Sequence, residues 1–134
     1  PKRIYMGEKD FQQLYLVKKF LKKKSKSKII SCKTIRDNHK LALSSRNLHL
    51  NKKEINTARK IAKNLSNFKK LINKSKNIKE LISLKTREFN SLKNVKVEYL
   101  ELRNKFSLKK DFKIKKSKIF IAYYINKTRL IDNF

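Results

Sequence analysis

Cysteine, proline and glycine each occur once in this chain of 134 residues, and tryptophan does not occur at all. A single cysteine, Cys32, cannot form a disulfide within the chain, which is typical of a protein of the reducing cytoplasm. We therefore expect a cytoplasmic protein, and we interpret Cys32 as a small, buried strand residue. Because glycine is so rare here, the one glycine, Gly7, is informative about function.

Long apolar segments are absent as well. No apolar run approaches the roughly 20 residues that span a bilayer, and residues 1–10 lack the apolar stretch of a signal peptide. These absences predict that the protein has no membrane partner. The hydrophobic share of 39% is still enough to form a core, which argues against a disordered chain.

Acidic residues are scarce: 10 of them stand against 38 lysines and arginines, for a formal net charge of +28. Such a charge indicates nucleic acid or an anionic membrane as a partner. However, the basic residues are mainly lysines, and they occur with many asparagines and isoleucines, which AT-rich codons favour. The two dense basic runs, residues 20–28 and 106–118, fall between predicted elements. A solvated surface is therefore favoured over a nucleic-acid groove.

The first 35 residues predict a helix followed by a strand. Apolar side chains at near-helical spacing predict a helix over residues 10–21, and β-branched side chains predict a strand over residues 28–36. One helix and one strand of a parallel sheet cannot bury their apolar faces unaided. We therefore expect residues 1–35 to be a remnant of an α/β layer, in a chain that lacks its beginning.

Two amphipathic helices are predicted in the rest of the chain. Asn51 and Glu54 form a possible capping box before an apolar face that repeats at helical spacing over Lys52–Ile72. Asn77 and Glu80 repeat the same pattern before a second helix.

Strands follow these helices. After residue 94 the period changes to two, with one set of side chains (Val95, Val97, Tyr99) alternating with another (Lys96, Glu98, Leu100). The nearly apolar residues 118–125 predict a central strand, and a turn at Asn126 and Lys127 leads into a third strand. Residues 36–134 therefore predict a small α+β unit, with helices on a short antiparallel sheet.

The segment GEKD, residues 7–10, stands at the start of the first predicted helix. Gly7 would let backbone amides approach a ligand, and the N-terminus of the helix attracts phosphate. Lys9 adds a point charge, Asp10 accepts hydrogen bonds from a ribose hydroxyl or caps the helix, and Gln13 presents an amide one turn later. Taken alone, the segment is more often a turn followed by a capped helix.

The segment LALSSRN, residues 41–47, lies in a predicted loop over residues 37–50. The hydroxyls of Ser44 and Ser45 and the guanidinium of Arg46 together suit a triphosphate, because arginine binds phosphate bidentately and stays charged. Arginine is notable in a chain that otherwise uses lysine. Taken alone, the segment is more often a polar loop that caps the next helix.

Three blocks in order carry a resemblance to a known family: GEKDFQQL, TIRDNHKLALSSRNLHL and IAYYINKTRLIDN. Together they resemble the C-terminal portion of the pantoate–β-alanine ligases, over residues 7–133. The resemblance implies an α/β remnant of a Rossmann-like nucleotide-binding domain at residues 1–35. It further implies that residues 36–134 form the small α+β C-terminal domain, with helices on a short antiparallel sheet.

The resemblance implies an AMP-forming ligase with ATP, pantoate and β-alanine as substrates, and Mg²⁺ as a cofactor. A pantoyl adenylate is the intermediate, and the products are pantothenate, AMP and pyrophosphate. The full-length enzyme would be a homodimer, and this portion alone would be inactive. Carried over position by position, the ATP-binding residues are Gly7, Glu8, Lys9, Asp10, Ile35, Leu43, Ser44, Ser45 and Arg46. Lys9, Ser44, Ser45 and Arg46 would be catalytic, Gln13 would contact pantoate, and no residue is assigned to a metal.

The chain departs from the family pattern at several points. His39 and Lys40 stand where the family usually has Asp-Gly, and Asn126 stands where glycine is usual. A histidine motif of the HIGH type is missing; His39 and His49 do not match it, and both are expected in the loop. The alternative function is that of a stand-alone basic nucleic-acid-binding protein, which a steep salt dependence of binding would reveal.

Overall fold

The computed structural model describes all residues, 1–134, and its backbone divides into two compact units, Pro1–Ile35 and Arg36–Phe134. Unit 1 contains strand β1 (Arg3–Gly7), a 3₁₀ turn (Glu8–Asp10), helix α1 (Phe11–Lys24) and strand β2 (Lys28–Cys32). Unit 2 contains helices α2 (Lys52–Ile72) and α3 (Ile78–Asn90) and strands β3 (Val95–Asn104), β4 (Ser117–Ile125) and β5 (Thr128–Asn133). No helix in the chain combines the length and apolar character that crossing a membrane requires.

Unit 1 is a sequence of strand, helix and strand in which β1 and β2 pair in parallel. The predicted helix begins one residue later, at Phe11, and continues to Lys24, while β1 was not predicted at all. The predicted strand over residues 28–36 was too long. It ends at Cys32 because the register partner of Cys32 is Gly7, the last residue of β1.

The interpretation of Cys32 as a buried residue was wrong. Cys32 is exposed and is the last residue of β2. The sheet of unit 1 has only two strands, and α1 is the one helix of the unit. The side chains on the two faces of the sheet are therefore not all covered. Within unit 1, Leu14 on α1 is the one buried hydrophobic side chain.

Helix α2 has the predicted bounds and the predicted cap. The Asn51 side chain accepts a hydrogen bond from the backbone N–H of Glu54 (3.0 Å), and the Glu54 carboxylate accepts one from the backbone N–H of Asn51 (2.8 Å). Its apolar face is buried in the core, where each large side chain contributes about 1.5–3 kcal/mol. This face consists of Ala58, Ile61, Ala62, Leu65, Phe68 and Ile72.

Helix α3 begins after Asn77, whose side chain accepts from the backbone N–H of Glu80, as predicted. The backbone N–H of Asn77 donates to the Ser75 hydroxyl and not to the Glu80 carboxylate, so only half of a capping box forms here. Helix α3 packs on β3 and buries Ile78 and Phe89. The two helices thus cover the sheet of unit 2, as the α+β prediction requires.

The sheet of unit 2 has the strand order β3–β4–β5 and is antiparallel throughout. Residues 119–123 of β4 are all buried, which confirms that this strand is central. In β3 the register shifts between Val97 and Tyr99, a β-bulge that reverses which side chains face the core. Leu100 is therefore buried, whereas simple alternation grouped it with the exposed Lys96.

The tight turn between β4 and β5 also formed as predicted. Asn126 adopts a φ of 51°, in the left-handed region that asparagine tolerates better than most residues. Strand β5 then returns alongside β4 and ends at Asn133.

Candidate functional site: the GEKD edge and the serine–arginine loop

The start of the segment GEKD and the end of β2, which leads to Ile35, lie at one edge of the unit 1 sheet. Gly7 and Cys32 are register partners at the carboxyl ends of two parallel strands, and the chain beyond each strand continues from that edge. In open α/β sheets, ligands bind outside the carboxyl ends of the strands. The 3₁₀ turn Glu8–Asp10 follows Gly7 directly, and Ile35, which is 72% exposed, follows Cys32 by three residues.

The space beside Gly7 is open. A Cβ atom built on Gly7 meets no atom within 4 Å, and the backbone angles (φ −71°, ψ 140°) are ones that any residue adopts. Neither packing nor backbone conformation within this chain therefore requires glycine at residue 7.

Asp10 precedes helix α1, but its side chain makes no capping hydrogen bond. A turn precedes the helix, as in the alternative interpretation, but Asp10 does not cap the helix with its side chain. Asp10 is exposed, and Gln13 is exposed on the first turn of α1. Both polar groups thus face solvent near the start of the helix.

Residues 41–46, which we call the phosphate loop after the ligand predicted for them, are anchored at their beginning and exposed at their end. Leu41 and Ala42 are buried, and the amide of Asn47 donates to the carbonyl of Ala42 (3.1 Å). The predicted loop contains a 3₁₀ turn over Ser45–His49, which the hydroxyl of Ser44 caps by accepting from the backbone N–H of Arg46 (3.2 Å). His49 therefore belongs to this turn.

The side chain of Arg46 lies against β5. Its Nη1 donates to the carbonyl oxygen of Arg129 at 3.0 Å. A guanidinium has five N–H donors, so this bond leaves donors for an anion. Ser45 and Leu43 are exposed beside it, and the structure therefore brings the four predicted residues 43–46 together on the surface of unit 2.

A tight turn over residues 37–40 precedes the phosphate loop. The Asp37 carboxylate accepts from the backbone N–H groups of His39 (2.8 Å) and Leu41 (3.0 Å) and from Arg59 Nε (2.8 Å). Burial alone would raise the pKa of Asp37, but these hydrogen bonds outweigh it and hold the pKa below its usual value. Lys40 has a φ of 71°, a left-handed conformation that favours glycine. It stands at the position where the resembling family usually has the glycine of Asp-Gly.

Sequence reasoning missed one residue of this region, Arg36. Its guanidinium binds the Asp132 carboxylate through two bonds, from Nη1 to Oδ2 (2.7 Å) and from Nη2 to Oδ1 (2.8 Å). The partners are 96 residues apart, so no local pattern connects them. The only signal was that Arg36 and Asp132 each fall in one of the three resembling blocks.

The comparisons with known proteins agree over the whole chain. The family model described as pantoate-beta-alanine ligase matches residues 1–134. A pantothenate synthetase of Flavobacterium psychrophilum is 39% identical over 137 residues, covering 99% of this chain and 48% of its own length. One from Clostridium botulinum is also 39% identical, covering 100% of this chain and 49% of its own length.

This chain belongs to the pantoate–β-alanine ligase family. It spans about half the length of the curated relatives that it matches. The family is one of ligases, and the comparisons lend no support to the alternative of a stand-alone nucleic-acid-binding protein.

Solved structures of pantoate–β-alanine ligases confirm the predicted fold class. A pantothenate synthetase of Thermus thermophilus matches the whole chain with a TM-score of 0.86 at 24% identity, over 49% of its own length. The Francisella tularensis enzyme, described as complexed with beta-gamma ATP and beta-alanine, matches the whole chain with a TM-score of 0.69 at 36% identity. The chain covers 43% of that enzyme.

Proposed function

We propose that this chain is part of an enzyme that condenses pantoate with β-alanine at the expense of ATP, with a remnant of its nucleotide-binding domain at residues 1–35 and a small α+β domain at residues 36–134. The observation that carries the proposal is the family match over residues 1–134, which includes both the GEKD edge and the phosphate loop. The open space beside Gly7 supports it, since a phosphate can approach the backbone there. Because the chain spans about half of its relatives, activity requires the rest of the enzyme.

In the first step, a carboxylate oxygen of pantoate attacks the α-phosphorus of ATP, and pyrophosphate leaves. Residues 7–10 receive the phosphates at the carboxyl edge of β1, where Lys9 supplies positive charge, and Ile35 lies beside the adenine. Gln13 donates a hydrogen bond to pantoate from the first turn of α1. In the second step, the amine of β-alanine attacks the carbonyl carbon of the pantoyl adenylate, and AMP leaves.

The phosphate loop stabilises the charge that builds on the departing pyrophosphate. Ser44 and Ser45 supply hydroxyl groups, and Arg46 supplies a guanidinium of which one donor is held by the carbonyl of Arg129. Donors aimed at developing charge stabilise a transition state more than they stabilise bound substrate. This makes Ser44, Ser45 and Arg46 the catalytic residues of the loop.

Mg²⁺ fits this chain as an ion that arrives with ATP. No group of three or more His, Cys, Asp or Glu side chains lies close enough to hold a metal ion. In such sites Mg²⁺ is held by phosphate oxygens and waters with few protein ligands. When bound, the ion would neutralise charge on the triphosphate.

The proposal includes a homodimer of the full-length enzyme and a cytoplasmic location, where ATP is supplied. The exposed Cys32, which has no disulfide partner in the chain, is consistent with a reducing compartment. Light scattering of the full-length enzyme measures the first property, and fractionation of the source cells measures the second.

A chimera tests the activity. The segment of the Flavobacterium psychrophilum pantothenate synthetase that aligns with this chain is replaced by residues 1–134. We expect pantothenate and AMP to form only when pantoate, β-alanine and ATP are all present.

Two variants of the chimera serve as controls. Lys9→Ala should abolish adenylation, whereas Arg87→Ala, on the exposed surface of α3, should leave the rate unchanged. A chimera that shows a cooperative thermal transition but forms no pantothenate would contradict the proposal.

A further inference from the structure

Arg36 connects the turn before the phosphate loop to the end of the chain. Besides its two bonds to Asp132, its Nη2 donates to the carbonyl of Asn133 (2.9 Å) and its Nη1 donates to the carbonyl of Lys40 (2.9 Å). The guanidinium also stacks on the ring of Phe134, with 4.3 Å between the guanidinium carbon and the ring centroid. Four of its contacts thus go to the end of the chain and one goes to the turn before the phosphate loop.

The backbone of Arg36 reinforces this connection. Arg36 forms an isolated antiparallel bridge with Ala42, the second residue of the phosphate loop. The side chain therefore ties the turn to β5 at the same place where the backbone closes the turn. Only 20% of the Arg36 side chain and 7% of the Asp132 side chain are exposed, so little water competes for the pair.

The two ends of the phosphate loop are held by the same strand. Arg36 holds the beginning through Asp132, and Arg46 holds the end through the carbonyl of Arg129. Asp132 and Arg129 both belong to β5, one of the two edge strands of the sheet.

We propose that Arg36 is a positioning residue for Arg46: it fixes the phosphate loop on β5 before ATP binds, so that the loop does not have to be ordered when Arg46 engages the triphosphate. This inference rests on the proposed function. A preorganised donor avoids reorganisation during the reaction. Lysine cannot replace Arg36, because one ammonium cannot bind both Asp132 oxygens, reach the Lys40 carbonyl and stack on Phe134.

The first test uses the 134-residue chain itself. Arg36→Lys keeps the charge beside Asp132, so the variant folds, but it loses the two parallel hydrogen bonds to the Asp132 carboxylate. We expect hydrogen exchange of the Asp37, Lys40 and Leu41 amides, which are all bonded within the turn, to become at least about tenfold faster. Amides at the centre of β4 should not change.

Arg103→Lys is the matched control. Arg103 also donates to a carboxylate, that of Glu101, and to the carbonyl of a residue with positive φ, Leu108, but it does so at β3. Its replacement should leave exchange in the turn unchanged. Unchanged turn amides in Arg36→Lys would overturn the proposal.

The second test is a double-mutant cycle in the active chimera. Arg36→Lys should lower the rate of adenylation at least about tenfold while changing the KM for ATP little. In the Arg46→Ala background the same substitution should have no further effect, because its action passes through Arg46. Multiplicative losses would show a merely structural role and would also overturn the proposal.

The two proposals fail in different ways. If the chimera that carries the unsubstituted chain makes no pantothenate, the proposed function is wrong, and the exchange experiment still decides whether Arg36 holds the loop. If that chimera is active but the rate losses of the two substitutions multiply, the proposed function stands and the positioning role of Arg36 is wrong.

Discussion

Gly7 and Cys32 are register partners, and each is the last residue of its strand in the parallel pair of unit 1. The carboxyl edge of the sheet is therefore defined by one residue without a side chain and one with a small side chain. The chain leaves this edge twice, into the turn Glu8–Asp10 and toward Ile35. A ligand at the edge meets backbone amides more readily than bulky side chains.

Gly7→Ala should separate ligand binding from stability. The added methyl group meets no atom of this chain, and the backbone angles suit alanine. The free energy of unfolding should therefore rise slightly, by about 0.4–1 kcal/mol, because the unfolded chain loses freedom. ATP affinity of the chimera, measured by calorimetry, should fall by about tenfold or more, or about 1.4 kcal/mol. Unchanged affinity would show that no phosphate approaches Gly7.

Arg46→Ala should slow chemistry more than it weakens binding. The loss of one donor to a developing charge typically costs about 2.7–4 kcal/mol in the transition state. Single-turnover measurements on the chimera should therefore show a much slower adenylation at nearly unchanged ATP affinity. Arg87→Ala serves as the control for removing an exposed arginine. Equal losses of rate and affinity would refute the role of Arg46.

Lys40→Gly should stabilise unit 2. Lys40 has a φ of 71°, and a non-glycine residue in this region costs about 1–2 kcal/mol. The greater conformational freedom of glycine in the unfolded chain offsets about 0.5–1 kcal/mol of the stability gained by relieving this strain. Urea unfolding of the 134-residue chain should show a net gain of about 0.5–1 kcal/mol. Asn94→Gly, at a φ of 63°, should give a smaller gain, because asparagine already tolerates this region.

The contribution of Asp37 should depend on pH. Its pKa lies below the usual value: burial opposes the shift, and the bonds from Arg59, Leu41 and His39 outweigh burial. A carboxyl group with a lowered pKa stabilises the fold above its unfolded pKa, near 3.8, and loses this contribution as the pH falls through the folded pKa.

Asp37→Asn isolates that effect. The difference in unfolding free energy between the parent chain and the variant should be largest near neutral pH and should shrink toward pH ~2. Denaturant titrations between these limits measure it. A difference that is the same at all pH values would mean that the charge of Asp37 has no part in holding the turn.

Local signals predicted unit 2 well. The bounds of α2 followed from its capping box and its apolar face, and the buried strand β4 followed from its continuous apolar run. The register of β3 did not follow, since one bulge between Val97 and Tyr99 reverses the facing of every later side chain. Strand β1 was missed because it is five residues long and alternates only between exposed and half-buried positions.

The candidate site was predictable to a different degree. The serines and the arginine drew attention to the phosphate loop, and the resemblance assigned a role to each of its residues. The roles of residues 7–10 and 43–46 stay predictions until they are measured. Arg36 was missed because its contacts join residues almost the whole of unit 2 apart, and only the fold brings them together. The positive φ of Lys40 likewise could not be predicted from a lysine, which has no preference for the left-handed region.

The two-stranded sheet of unit 1 also has a practical consequence. Both strands are edge strands, and unpaired backbone groups on edge strands recruit strands from other molecules. Unit 1 has one buried hydrophobic side chain, Leu14, so it is mainly repulsion between its basic residues that opposes such pairing. Residues 1–35 are therefore the segment through which these 134 residues would associate at high concentration, so hydrogen exchange and unfolding are best measured on dilute samples.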